Sequence, residues 1–322
     1  MSNKAWDEIE ENSNVRGMKI LLWVYSVFGR FVFSCVLLPV MFFYFVVEKQ
    51  ARSASTQFLC RVIPSLRERP VKKYWMSFRH FVSFAFGLLD KLALWSGKIK
   101  TGPVSYHGGA REDFLKHIES GRGGLMLTCH IGNVEAGRLI AGSHRRAKLN
   151  ILVHTKHAEK FNSLLNEMDE NSALNLLQVT GISPGTAIDL NARVERGESV
   201  VIAADRTPVG GGDRQAAVNF MGETAYLPEG PYILASLLRC PVYFVMFVRE
   251  GDHFCVVIEK FADTIKLSRK TRDVDLQQWA QRYADRLEYY AKQYPMQWFN
   301  FYDFWRTSDV EAPLNNVKEV RK

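Results

Sequence analysis

At 322 residues, with 47% apolar and 24% charged side chains, the chain has the composition of a globular core and not of a disordered segment. That length holds one large domain or two small ones. Its net charge of +8 and pI near 9.2 suit nucleic acid, anionic lipid headgroups or an acidic protein as partners. No zinc-finger spacing, RNP-like aromatic motif or long Lys/Arg run favours nucleic acid. The five cysteines, Cys35, Cys60, Cys129, Cys240 and Cys255, are an odd number scattered through apolar runs. They fit small core residues of a reducing compartment better than a disulfide framework.

Residues 1–19 form a polar tail, and residues 20–47 are apolar apart from Ser26, Arg30 and Ser34. The run divides at Gly29-Arg30; Phe31 to Val47 holds no charge over 17 residues, about the lower limit for crossing a bilayer. Trp23 and Tyr25 in the first half prefer the interface. The region is therefore expected to be a membrane anchor, as one span or as a shallow hairpin bent at Gly29 and Pro39. A signal peptide fits less well, because the acidic leader (Asp7, Glu8, Glu10, Glu11) is long and no small-x-small cleavage site closes the run. A buried core helix is the stronger alternative, but the density of Phe, Val and Leu without a polar face favours membrane contact.

Residues 48–95 continue as basic, amphipathic, membrane-proximal helices. Lys49, Arg52, Arg61, Arg67, Arg69, Lys72 and Lys73 stand against Glu68 alone, whereas residues 1–19 hold three basic and four acidic side chains. The positive-inside rule then puts the C-terminal portion in the cytoplasm. Phe78 to Trp95 reads as an amphipathic helix that lies on the membrane or caps the core.

From residue 96 to 306 strand and helix signals alternate. A helix over 112–119 ends at Gly121, and a buried strand over 124–130 is followed by a helix over 134–141. Next come strand 150–154, helix 158–168 and a short strand at 176–180. Ser183 as N-cap, Pro184 at the first position and Gly197 as stop mark another helix. Strand 199–204, a Gly-rich loop over 207–216 and a helix over 228–238 opened by Pro228 follow. Val242–Val248 and Phe254–Phe261 form a hairpin around Glu250-Gly251-Asp252, and 275–290 is a final helix. This alternation predicts an α/β fold with a largely parallel central sheet flanked by helices, as one catalytic domain, before a polar tail at 307–322.

His130 would lie at the carboxyl end of the strand over 124–130, where ligands gather in open α/β sheets. Gly132-Asn133 makes the corner, with Asn133 as N-cap. Glu135 then falls in the first helical turn, which favours its ionised form. A carboxylate beside an imidazole fixes the tautomer and makes it a general base; the alternative is a structural hydrogen bond. Asp205-Arg206 ends the strand over 199–204 at the same edge, either holding an anionic group, ordering the pocket floor, or lying as a solvated loop pair. Cys129 adjoins His130 but should face the opposite way along a strand. His154 and His157 lack the partners of a zinc site, and no metal is expected. No Gly-x-Ser-x-Gly elbow suggests an α/β-hydrolase.

Four ordered blocks carry a resemblance. Gly123 to Glu135 holds His-x4-Glu, Ser199 to Arg206 ends in Ala-Ala-Asp-Arg, Phe220 to Pro231 reads Phe-Met-Gly…Pro-Glu-Gly-Pro, and Tyr294 to Phe301 reads Tyr-Pro-Met-Gln-Trp-Phe-Asn-Phe. Together they resemble the lysophospholipid acyltransferase superfamily, in particular its lipid A biosynthesis (late) acyltransferase branch. Three features depart from that pattern. Met296 stands where the last block usually has glutamate. Val153-His154-Thr155-Lys156 lacks an expected arginine, for which Lys156 could supply the charge. Leu227-Pro228-Glu229-Gly230 also echoes the Pro-Glu-Gly motif of glycerophosphate acyltransferases.

The resemblance implies transfer of an acyl chain from a thioester, acyl carrier protein or acyl-CoA, to a hydroxyl or amine of a membrane lipid or glycolipid. His130 would be the base and Glu135 its orienting carboxylate, and no separate cofactor is needed. Asn133, Lys156, Asp205, Arg206, Gly222 and Gly230 would bind substrate. The partners would be the acidic carrier protein, the lipid acceptor and the anionic membrane surface. A membrane-associated hydrolase and a non-catalytic lipid-surface adaptor remain as rival readings.

Overall fold

The computed structural model describes residues 33, 35, 37–95, 104–133, 148–153, 174–178, 183–206, 214–251 and 253–305. Residues 37–47 are helical and lead into α1 (Lys49–Val62), a single 3-10 turn at Pro64–Leu66, and α2 (Pro70–Trp95). Then follow β1 (Ser105–His107), α3 (Arg111–Glu119), β2 (Leu125–Thr128), β3 (Leu149–Val153) and β4 (Leu174–Gln178). The second half runs α4 (Pro184–Glu195), β5 (Ser199–Ala203), β6 (Gln215–Phe220), β7 (Glu223–Pro228), α5 (Gly230–Leu238), β8 (Val242–Glu250), β9 (His253–Ala262) and α6 (Arg272–Gln293).

Seven strands join in the order β1-β9-β8-β2-β5-β3-β4. β2, β3, β4, β5 and β8 run parallel; β9 returns antiparallel to β8, and β1 runs parallel to β9. Because side chains alternate along a strand, each strand feeds two cores. Leu125 and Leu127, Val200 and Ile202, and Val242, Phe244 and Met246 join a core with α4, α5 and α6. Met126, Val201, Tyr243 and Val245 join the opposite core, under Phe114 and Ile118 of α3. The largely parallel, helix-flanked α/β sheet expected from the alternation is present.

Local signals explain several boundaries. The Ser183 hydroxyl accepts from the Thr186 N–H at 3.1 Å, with Pro184 in the first turn, the pairing an N-cap supplies. Elsewhere the structure corrects the sequence reading. α2 starts at Pro70, eight residues before the expected helix, because proline is tolerated in a first turn. The loop expected over 207–216 gives way to β6 at Gln215, paired with β7 in a two-stranded hairpin laid on α6. Pro228 closes β7, and α5 begins at Gly230 with Pro231 in its first turn. The helices expected over 134–141 and 158–168 lie outside the described residues.

Phe45 sets its ring edge-on to Phe78 and Phe81 of α2, at 5.6 and 5.3 Å, and so docks the helical residues 37–47 on that helix. Leu38, Phe42, Phe43, Tyr44, Val46 and Val47 nonetheless remain exposed. Among the described residues no helix is long and apolar enough to cross a membrane. Residues 20–32, 34 and 36 of the expected anchor lie outside them.

Candidate active site

β2 and β5 are parallel neighbours, in register from Leu125↔Val200 to Thr128↔Ala203. The Ala204 N–H donates to the Thr128 carbonyl at 3.0 Å, so the ladder continues past the last pair. Two residues further on, the same register sets His130 opposite Asp205. Along the chain, β2 is followed in this sheet by β3 on the β5 side, whereas β5 is followed by β8 on the β2 side, the reversal that marks the switch point where open sheets bind ligands.

Asp205 engages His130 twice. One carboxylate oxygen accepts the His130 backbone N–H at 2.8 Å, and the other lies 2.8 Å from Nδ1. Burial pushes the Asp205 carboxyl up, but the His130 imidazole and the Arg206 guanidinium outweigh it and hold it below the usual carboxylate range. An ionised carboxylate accepts only, so Nδ1 carries the proton and the ring's lone pair is on Nε2. The His130 side chain is 35% exposed and that of Asp205 only 2%. The imidazole is therefore open to solvent, and the carboxylate behind it is not.

The turn after His130 needs Gly132, whose φ is +72°. A Cβ there would stand 1.9 Å from the Phe247 carbonyl oxygen, so no other residue fits without moving β8. The Gly132 N–H donates to the Gln297 carbonyl and the Asn133 N–H to the Phe247 carbonyl, both at 2.8 Å. The Phe299 N–H donates to the His130 carbonyl at 3.1 Å, and Ile131 bridges Trp298 antiparallel. The closing block is thus a hydrogen-bonded partner of the histidine turn. Gln297 reinforces it by accepting from the Arg249 N–H and donating to the Arg249 carbonyl, each at 2.9 Å.

Arg206, expected either to hold an anionic group, to order the pocket floor or to lie in a solvated loop pair, donates to the Phe299 carbonyl at 2.7 Å and lies over the Tyr302 ring. Gly222 sits with Met221 at the β6–β7 turn, both with positive φ, and Gly230 opens α5; these two take backbone positions. The structure gathers His130, Asn133, Asp205 and Arg206 around one strand-end turn. Glu135 and Lys156 lie outside the described residues, as do His154 and His157. Cys129 is fully buried, and burial followed by the Asp205 charge drives its thiol well above the usual range. It is a packing residue.

Beside this turn opens a cavity of about 410 Å³, within the span of about 300–1,000 Å³ typical of ligand pockets. One wall is α2, through Trp75, Phe78, Val82 and Phe86; Gly132 and Asn133 of the turn, Phe254, Met296 and Phe299 complete it. Arg79 and the Asp90–Arg249 ion pair, 2.7 Å long, add charge to this apolar lining. The sequence left α2 either on the membrane or capping the core, and named no pocket for it to line. Its aromatic spacing was visible, but what it faces was not.

Among the described residues, His107, Glu250 and Cys255 bring metal-ligand atoms within 4.8 Å of one another. Glu250 already accepts from the Tyr294 hydroxyl at 2.5 Å and lies 3.6 Å from His107, and the group shares no residue with the His130–Asp205 pair.

No curated protein matches the chain. A family model described as bacterial lipid A biosynthesis acyltransferase matches residues 18–307.

Proposed function

The chain belongs to the bacterial lipid A biosynthesis acyltransferase family and is an acyltransferase, and from this premise we propose that it moves a fatty acyl chain from a thioester onto a membrane-held lipid or glycolipid. The observation that carries the reading is the imidazole of His130 held by the buried Asp205 carboxylate at the strand-end edge. An acidic acyl carrier protein suits the net charge of +8 as donor; acyl-CoA would serve the same chemistry.

In this mechanism an acceptor hydroxyl or amine approaches His130 Nε2. The imidazole takes its proton as the oxygen or nitrogen attacks the thioester carbonyl. Asp205, already charged and sealed from water, stabilises the imidazolium that forms. When the tetrahedral intermediate collapses, the C–S bond breaks and the departing thiolate takes the proton from Nε2, leaving thiol, acylated acceptor and neutral His130. No acyl-enzyme is required. Glu135 keeps in this reading the orienting role that the family resemblance implies. The apolar cavity next to Asn133 suits the acyl chain, and Arg79 suits a polar or anionic end.

The exposed apolar side chains of 37–47 and the basic residues of α1 and α2 support a seat on the cytoplasmic face of a bacterial inner membrane, where acceptor and product reside. Lipid A, an ornithine or glycine lipid and an aryl-polyene-type lipid are the candidate acceptors. The test is acyl thioester turnover with and without lipid acceptor, for the wild-type chain and for His130→Ala. A transferase consumes donor only when acceptor is present, and His130→Ala is expected to lose at least about a hundredfold. Donor consumption that needs no acceptor would make the protein a hydrolase, and full activity in His130→Ala would remove the base. Mass spectrometry of total lipids from cells with and without an active copy then names the acceptor.

A further inference from the structure

A buried imidazole that this reaction does not use joins the N-terminal helices to the closing block. His80 of α2 is fully buried. Its Nδ1 lies 3.0 Å from the Ser55 hydroxyl, which accepts from the Ser77 hydroxyl at 2.8 Å, and its Nε2 lies 3.0 Å from the Trp298 carbonyl oxygen. One assignment satisfies every group. The carbonyl only accepts, so Nε2–H donates to it, and Nδ1 accepts from Ser55, which accepts from Ser77. Burial, opposed by the bond to Trp298, lowers the His80 pKa to about 4, so the ring stays neutral in this role. The ring stacks on Phe301 at 4.6 Å.

The Trp298 carbonyl and the Phe299 N–H belong to one peptide group, and that group is planar. His80 holds its oxygen. Its N–H donates to the His130 carbonyl, 3.1 Å away. The Asn300 N–H also reaches the Trp298 oxygen, at 2.7 Å, which closes the turn on the same plane. The next carbonyl, of Phe299, accepts from Arg206, the neighbour of Asp205. A tilt of this one peptide therefore loosens both sides of the His130–Asp205 pair.

We propose that His80 is a positioning residue for the acyl transfer: through the 298–299 peptide it fixes the backbone of His130 and hence the angle at which the imidazole meets its acceptor. The proposal rests on the reading of His130 as general base. A misplacement on the order of 1 Å at a catalytic group costs roughly a hundredfold in rate, so a peptide tilt is enough to matter.

Two polar substitutions separate positioning from packing. In His80→Gln the side-chain amide extends to the place of Nε2 and keeps a donor to Trp298. In His80→Asn the amide stops near the place of Nδ1 and loses that donor while keeping Ser55 within reach. With thermal melts confirming that both are folded at the assay temperature, His80→Gln is expected within about fivefold of wild-type kcat. His80→Asn should lose about 10- to 100-fold in kcat, with KM for the thioester within about threefold. Equal kcat for the two variants would overturn the proposal, as would losses that only follow the change in melting temperature. His130→Ala is run alongside. If it keeps activity, the general-base reading fails; if it is inactive while the two His80 variants match, only the positioning role falls.

Discussion

A carboxylate as enclosed as Asp205 would ordinarily be neutral, because burial disfavours charge. It stays ionised by accepting the backbone N–H and Nδ1–H of one residue, with Arg206 beside it. Removing its charge while keeping its shape isolates that contribution. In Asp205→Asn the amide oxygen can still accept from Nδ1–H, but the imidazolium of the proposed mechanism loses its counter-charge. We expect kcat to fall on the order of 10²- to 10⁴-fold with little change in KM. Steady-state kinetics with a short-chain thioester checks this, and a loss smaller than tenfold would leave Asp205 a structural role only. If Glu135 also acts through His130, the double variant Asp205→Asn/Glu135→Gln will lose less than the product of the two single losses.

At the scale of elements, the site is a meeting of β2, β5 and β8 ends with the closing block, and Gly132 is the point of closest approach. An alanine there must keep φ near +72° and place its Cβ 1.9 Å from the Phe247 oxygen, so β8 or the histidine turn has to shift. Gly132→Ala should destabilise the fold by about 2–4 kcal/mol and reduce transfer in the fraction that folds. Chemical denaturation measures the first effect, and an unchanged midpoint would contradict the packing described. Local signals in the sequence foretold much of this scaffold. The apolar run before His130, the Ser183-Pro184 cap and the β8–β9 hairpin each depend on neighbours within a few residues. The His130–Asp205 bond does not. The partners lie 75 residues apart, and only the β2–β5 register brings them together, whereas spacing alone pointed to Glu135 five positions away. The β6–β7 hairpin escaped notice for another reason: Ala216, Ala217 and Ala225 give its alternation little contrast, and Met221-Gly222 is not the Asn-Gly that usually marks such a turn.

At the scale of the whole molecule, the charge count along the chain overstates the basic surface open to a membrane. Of the seven basic residues between 49 and 73, Arg52 is turned back onto the Phe45 and Val46 carbonyls. Arg61 pairs with Glu223 at 2.6 Å and stacks on Trp305 at 3.9 Å, tying α1 to the β6–β7 hairpin and to the segment just after the closing block. Lys49, Arg67, Arg69 and Lys72 remain exposed, as do Val71, Tyr74 and Trp75, and Arg69 and Lys72 lie beside Val71 and Trp75. Aromatic rings next to lysine and arginine are what a helix needs at a headgroup layer, the rings entering and the cations staying in water. Each surface cation is worth about 1 kcal/mol against an anionic leaflet, and screening weakens it with salt. In vesicle co-sedimentation the full chain should therefore bind phosphatidylglycerol-containing vesicles more tightly than zwitterionic ones. Arg69→Glu and Lys72→Glu together should lower the anionic-vesicle affinity by tenfold or more and leave the zwitterionic affinity nearly unchanged. Trp75→Ser should lower both, because its contribution does not depend on headgroup charge. Arg61→Glu should act differently again, reducing thermal stability more than vesicle affinity, since that arginine faces the protein. Charge-independent binding, or a loss of affinity in Arg61→Glu as large as in the double charge reversal, would show that the basic face of α2 does not meet the membrane.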